Sequence, residues 1–303
     1  MATLKQRREL TRLHIVPLIG KERLSRLTMP KAEAFRDALL ATRSRSMAGK
    51  VIRALSSAII EGMRQGLVAQ NVARGVRVKN KGRDQAPIDI PGTDVLRAML
   101  ETAQNLSNKY PNAYPLVLLA MSAGLRSSEL RGLRWPDVDL AAGTLSIKQR
   151  ADARSIIGKC KSKAAYRTIP LAAPVVVALK TWKLRCPANE GALAFPNGAG
   201  RPHHPNNLRE YLWTPILIAI GAAIDTSRKD RKGKTVYDLR YGLHHLRHAC
   251  ASRWIKQKID LKRLTTWLGH SSVQITLDVY GHLIKDEQED AAIVSAANAE
   301  LIA

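Results

Sequence analysis

Four short stretches concentrate side chains able to do chemistry. In "SAGLRSSELRGLRW" (122–135) Gly124 breaks one helix, and Arg126 and Glu129, three apart at the start of the next, share a face. In "GKCKSKA" (158–164) Lys159, Lys161 and Lys163 alternate with small residues. In "LHHLRHACAS" (243–252) a helix would put His244 beside both Arg247 and His248. The last, "WLGHSSVQITLDVYGHL" (267–283), holds His270 and one tyrosine, Tyr280. Guanidinium forks suit phosphate oxygens, and a tyrosine hydroxyl can form a covalent ester. A phenol of pKa ~10 is a weak nucleophile at neutral pH, so something must take its proton or stabilise the product.

Alone, each stretch has an ordinary explanation: a local ion pair, a solvated basic turn, a satisfied core histidine (His248 being the best candidate) and a half-buried aromatic. The i, i+4 pair His244 and His248 invites a metal site. The helical zinc-protease pattern, however, needs Glu directly after the first His, where this chain has His245. No nearby carboxylate cluster offers a third ligand, so no metal ligand is assigned.

The elements that must position these residues divide the chain. The first eighty residues read as helices with basic outer faces: "MPKAEAFRDALLA", and "SMAGKVIRALSSAIIEGMRQGL" with Ser46 as its N-cap and Gly66 near its end. "VKNKGRDQAPIDIPG" (78–92) loses apolar periodicity and marks a linker. Beyond it, 93–104 and 112–123 look helical. "GTLSIKQR" and "AYRTIPL" alternate as strands flanking the lysine-rich turn, "TSRKDRKGKTVYD" reads as a charged loop, and helices return from "LHHLRHACASRWIKQ" onward. This gives a mainly α (α+β) chain: a helical domain over 1–80, a linker over 81–91, and a mixed domain over 92–303 with a small antiparallel sheet.

Composition narrows the partner. Forty-nine Lys and Arg against 25 Asp and Glu give a net charge of +24. Through residue 90 there are 19 basic and 7 acidic residues, and 30 and 18 follow, so both parts are basic and the first more densely so. Charge spread this way suits a nucleic acid rather than a membrane surface, which would want one basic amphipathic helix. Three widely spaced cysteines (Cys160, Cys186, Cys250) without a C-x-x-C pair argue for reduced thiols in the cytoplasm, and a nucleic-acid partner would make the setting nucleoid-associated.

Taken together and in this order, the four stretches resemble the tyrosine recombinases, the phage-integrase family of site-specific DNA recombinases. That signature is an Arg in a first box, a Lys on a β-hairpin, H-x-x-R, a His or Trp, and then Tyr. It falls on Arg126 in "AGLRSSEL", a lysine in "KCKSKAAYRTIPL", His244 and Arg247 in "HHLRH", His270 in "LGHSS" and Tyr280 in "LDVYGH". The likeness covers the whole second half and runs from "HIVPLIGKERLSRLT" to "GLVAQNVARGV" in the first. Against the family's usual T-K-x-K run, Lys161 matches best and Lys163 second.

The resemblance implies that Tyr280 attacks the scissile phosphate, leaving a 3′-phosphotyrosyl link and a free 5′-hydroxyl. Arg126 and Arg247 would hold the two non-bridging oxygens, where charge builds in the transition state. His270 would add a hydrogen bond, Lys161 would protonate the leaving 5′-oxygen, and His244 would assist proton transfer at the tyrosine. Glu129 would orient its neighbours. No cofactor is implied, neither Mg²⁺ nor ATP. The helical first domain would clamp the far face of double-stranded DNA at specific core sites, with Arg43, Arg45, Lys50, Arg53 and the hairpin's Lys159 as contacts. Affinity would then fall steeply with salt. The tail from about 287 to 303 would dock on a neighbouring protomer in a homo-tetramer, and accessory DNA-bending or directionality factors belong to such systems. Many such integrases carry a further arm-binding domain in front. This chain opens at "MATLKQRREL", already inside the core-binding region, so it is either short by nature or lacking residues there. Two other functions stay open: a type IB topoisomerase-like enzyme, and a catalytically silent DNA-binding relative. A nuclease built on the histidines at 244, 245 and 248 ranks last.

Overall fold

The computed structural model describes residues 2–78, 88–230, 233–284 and 298. Two compact units divide the chain, Met1–Pro87 and Ile88–Ala303. Most of the expected linker, and all of the C-terminal tail from 287 except Asn298, lie outside the described residues.

The first unit is helical. Helix α1 (Ala2–Leu10) runs through a π-helical turn (Thr11–Ile15) into α2 (Val16–Ile19), whose second residue is Pro17. Proline has no N–H to give the ladder, and the wider turn absorbs the interruption. Helix α3 (Met29–Thr42) is capped by Thr28 and α4 (Arg45–Arg64) by Ser44, whose side chains accept from Lys31 N and Met47 N. The cap is therefore Ser44 rather than the expected Ser46. Both are serines near the helix start, and only the extended backbone at 44 lets a hydroxyl reach back to the third residue on. Phe35 and Leu39 of α3 meet Val51, Ile52, Leu55 and Ile59 of α4 in the core. Arg43, Arg45, Lys50 and Arg53 are all exposed.

In the second unit, α5 (Thr93–Asn105) and α6 (Ala113–Ala123) lead to α7 (Ser127–Arg131). Strands β1 (Val138–Asp139), β2 (Thr144–Ile147) and β5 (Arg167–Pro170) form an antiparallel sheet in that order, with Leu145 opposite Ile169 and Ile147 opposite Arg167. Strands β3 (Gln149–Ala151) and β4 (Ile157–Lys159) form a separate hairpin. Its tip is Asp152–Ile156, where the Asp152 carboxylate accepts from Arg154 N and Ile156 N. The lysines are therefore not at the hairpin tip: Lys159 lies in β4 opposite Gln149, Lys161 sits at a bend beyond it, and Lys163 opens a short 3-10 turn (Lys163–Ala165), all three exposed. Aspartate is the better turn-former because its side chain bonds the backbone two residues on.

Helix α8 (Ala173–Arg185) packs on α6. A second helix–π–helix, α9 (Pro205–Leu208) through Arg209–Trp213 to α10 (Thr214–Ala219), again places the π-turn ahead of a proline, Pro215. The stretch expected as a charged loop is a hairpin, β6 (Ala223–Lys229) with β7 (Thr235–Leu239). β6 is almost wholly exposed, so no apolar alternation announces it. The unit closes with α11 (Leu243–Lys256), α12 (Leu261–Leu268) and α13 (Val273–Tyr280). Small residues on α11, Ala249 and Cys250, face α6, with the Cys250 thiol 3.3 Å from Ser122 O. Among the described residues, no helix is long and apolar enough to cross a membrane.

Candidate active site

Arg126, Arg247 and His270 converge on the C-terminal end of α12. A helix leaves its last carbonyls without intrahelical partners and concentrates negative partial charge there. Here three of them are taken by arginines: Trp267 O by Arg167 Nε (2.6 Å), Leu268 O by Arg247 Nη2, and Gly269 O by Arg126 Nη2 (2.8 Å). Gly269 ends the helix at φ +64°, and a β-carbon there would lie 2.8 Å from Arg167 Nη1 and 3.0 Å from Ala164 O. A glycine is thus required both by conformation and by crowding. Gly124, ending α6 at φ +58°, does the same for the other side: its carbonyl accepts from Arg247 Nη1 at 2.7 Å.

Beneath the arginines lies Glu129, 3% exposed. It accepts from Arg126 N (2.9 Å) and Nη1 (2.8 Å) and, in a two-pronged pair, from Arg167 Nη1 (3.1 Å) and Nη2 (2.8 Å). Burial pushes its pKa up, but the Arg167 fork and then Arg126 outweigh burial and hold the carboxyl below its ordinary value. Three guanidiniums against one carboxylate leave two positive charges in surplus, the charge of a pentavalent phosphorane with opposite sign. Arg126 keeps about a third of its side chain exposed (34%), whereas Arg247 is 2% exposed, its pKa lowered to about 10 by burial and then by Arg126. At neutral pH it remains a cation.

His270 sits at the same helix end, with Nδ1 2.9 Å from the Thr276 hydroxyl, which in turn bonds Thr265 Oγ1. Burial, followed by the positive charges of Arg247, Arg126 and Arg167, lowers His270 to about 4, so its ring is neutral at pH 7. The imidazole of His244 is also shifted down, by burial and then by Arg247 and Arg126, although its surface is exposed.

Tyr280 is 1% exposed, packed with Ala251, Leu264 and Leu268, and burial raises its hydroxyl to about 12. The oxygen lies 2.8 Å from His248 Nδ1. His248 is therefore hydrogen-bonded, and its partner is the tyrosine singled out in the sequence rather than another core group. His244 stacks edge-on against His248, ring centres 4.8 Å apart, and no described hydrogen bond joins it to Tyr280. No group of three His, Cys, Asp or Glu among the described residues is placed to hold a metal ion.

Lys159, Lys161 and Lys163 stay outside this hydrogen-bonded centre, on an exposed limb that ends at Arg167. Arg131 bolts that limb's hairpin to α7, donating to Ala151 O, Asp152 O and His203 O. Two participants were missed in the sequence, Arg167 and the Tyr280 contact of His248. Arg167 had a signal: in "RTIP" it is in phase with Ile169 on the buried face, where an arginine needs a buried acid.

Comparison with known proteins decides what this arrangement belongs to. The model of the phage integrase family matches residues 92–287. The chain belongs to that family. Its relatives include a XerC-like tyrosine recombinase of Caldanaerobacter subterraneus subsp. tengcongensis, 26% identical over 75% of this chain and 60% of that one. The ICEBs1 integrase of Bacillus subtilis is 28% identical over 57% and 46%. The chain thus spans about half the length of the curated relatives it matches. In fold it is similar to the Tn1549 transposon integrase in complex with transposon right end DNA, with a TM-score of 0.74, 17% identity, and coverage of 100% of this chain and 95% of that one. A lambda integrase dimer bound to a COC′ core site gives 0.64 at 19% identity, covering 91% and 90%. These likenesses carry the mainly helical fold with its small antiparallel sheets.

Proposed function

We propose that this protein is a site-specific DNA recombinase that breaks and rejoins double-stranded DNA through a 3′-phosphotyrosyl intermediate, so integrating or excising a mobile element. The observation that carries this is the two-charge surplus of Arg126, Arg167 and Arg247 over Glu129 at the end of α12, one short helix before Tyr280. Arg126, the more open of the two, meets a non-bridging oxygen first. Arg247 reaches the other after side-chain rearrangement, since its donors now engage Gly124 O and Leu268 O. His270, neutral and oriented by Thr276, donates a further hydrogen bond. Lys161 on the returning limb protonates the leaving 5′-oxygen, with Lys163 as its alternative, and His244 assists proton transfer. With charge neutralised by guanidiniums, the reaction proceeds without Mg²⁺ or ATP.

Exposed Arg43, Arg45, Lys50, Arg53 and Lys159 contact the backbone of the core site. Assembly is a homo-tetramer on DNA, and the DNA-bound integrase structures similar in fold, among them a lambda integrase tetramer on a Holliday junction, support this. The test is covalent trapping. The target duplex is first selected from a randomised pool by binding to the Tyr280→Phe chain, then nicked beside the cleavage position and incubated with the wild type in EDTA. An SDS-resistant protein–DNA adduct is expected from the wild type and not from Tyr280→Phe. An adduct formed by the variant removes Tyr280 as the nucleophile.

A further inference from the structure

The hydroxyl of Tyr280 has a described partner, and it is not the histidine of the H-x-x-R motif. We propose that His248 receives the Tyr280 proton as the phenol attacks phosphorus, with His244 acting through His248 rather than on the tyrosine directly. This rests on Tyr280 being the nucleophile.

Geometry supports it first. The oxygen-to-Nδ1 distance of 2.8 Å is that of a nucleophile and its base, with ring centres 5.6 Å apart and planes inclined by 58°. With the ring proton on Nε2, Nδ1 is the acceptor and the phenol the donor. His248 also follows Arg247 directly on α11, so one helix carries a phosphate-holding cation and the proton acceptor side by side. His244, one turn earlier, stands edge-on to the His248 ring at 4.8 Å and 89°, fixing its plane as the third member of a triad fixes a base.

Protonation behaviour explains why the pair is silent at rest. Burial lowers His248 to about 4, helped by the charges of His244, His245 and Arg247 on its own helix, and the group facing it from α13 is Tyr280, raised to about 12. Both shifts oppose transfer at rest, so the hydrogen bond joins two neutral groups. DNA changes both sides. A phosphate beside Arg247 brings negative charge that offsets the neighbours holding the imidazole down. As the Oη–P bond forms, the phenolic oxygen loses its affinity for the proton. The step balances: Oη–H breaks as Nδ1–H forms, Oη–P forms as P–O5′ breaks, and the 5′-oxygen takes a proton from the hairpin lysine. Rejoining runs it backward and returns the proton to Tyr280.

The test uses the full chain and the selected duplex with sulfur in the 5′-bridging position, so that the leaving group needs no proton. The wild type is expected to form adduct at a rate flat from pH 7 to 9. His248→Ala and His248→Asn are expected to be slower at pH 7 by about 10²- to 10⁴-fold, with rates rising about tenfold per pH unit because attack then waits for phenolate. Asparagine can accept the same hydrogen bond without taking a proton. A wild-type rate for His248→Asn would mean that His248 only positions the tyrosine, and would overturn the proposal. So would a pH-independent loss in both variants. If neither variant folds, the wild type alone decides: a tenfold rise per pH unit between 7 and 9 excludes any base. Failure of the underlying assignment reads differently, as adduct formation by Tyr280→Phe.

Discussion

Glu129→Gln isolates what the buried carboxylate does. The substitution keeps the shape and removes the charge against which Arg126 and Arg167 are set. Four hydrogen bonds now reach the carboxylate, three from guanidinium nitrogens, at a site 3% exposed. Glutamine can accept through one oxygen only, and its amide turns donors toward donors. Removing one partner of a buried ion pair costs about 3–5 kcal/mol, because the remaining charge is left uncompensated. For a unit of this size each kcal/mol moves Tm by about 2–4 °C, so thermal denaturation followed by circular dichroism should show a fall of roughly 6–20 °C. A second signature comes from pH. The carboxyl is held below its ordinary 4.5 when folded, so its stabilisation is fully present above pH 4.5 and lost as pH falls through the folded value. The gap between wild type and variant should therefore be constant from pH 5 to 8 and narrow below 4.5. A variant melting within 2 °C of wild type at pH 7, or a gap unchanged down to pH 3, would refute the view that this carboxylate is an ionised counter-charge.

Two glycines with the same backbone geometry should behave differently. Gly269→Ala places a methyl 2.8 Å from Arg167 Nη1 and 3.0 Å from Ala164 O, whereas Gly66→Ala, at φ +71°, meets nothing within 4 Å. Denaturant titration should give about 1 kcal/mol for Gly66→Ala from the left-handed backbone alone, and at least about twice that for Gly269→Ala. The two hairpin lysines separate by leaving group: if Lys161 supplies the proton, Lys161→Ala slows cleavage of an ordinary phosphodiester by about 10²-fold or more and is restored on a 5′-bridging sulfur substrate. Lys163→Ala should be insensitive to the exchange, and the reverse pattern would transfer the role to Lys163.

What could be read from residues alone follows a physical divide. Arg126, His244, Arg247, His270 and Tyr280 were singled out by the order of their motifs, which resembles a known family, and of these the structure gathers Arg126, Arg247 and His270 at one helix end. The caps and strands were legible in kind and displaced in detail: Ser44 for Ser46, and the hairpin tip at Asp152 instead of the lysines. Strand β6 was invisible since an exposed strand carries no burial pattern. The Tyr280–His248 bond spans 32 residues and depends on how α13 lies against α11, which no spacing rule contains.

The arginines of the site differ in the partners that hold them. The cations are held by backbone carbonyls of Trp267, Leu268, Gly269 and Gly124, which are present whether or not DNA is bound. A carbonyl is a partial charge and a phosphate oxygen a full one, so on the proposed function a DNA phosphate would compete with Gly124 O and Leu268 O for Arg247. Glu129 cannot be displaced in this way, being ionised and doubly bonded to Arg167. The arrangement therefore divides its arginines by partner. Arg167 is paired with a carboxylate, while Arg247 is held by carbonyls alone and on the proposed function would exchange them for a phosphate. Arg126 does both, one nitrogen on Glu129 and the other on Gly269 O, with the most open face of the three.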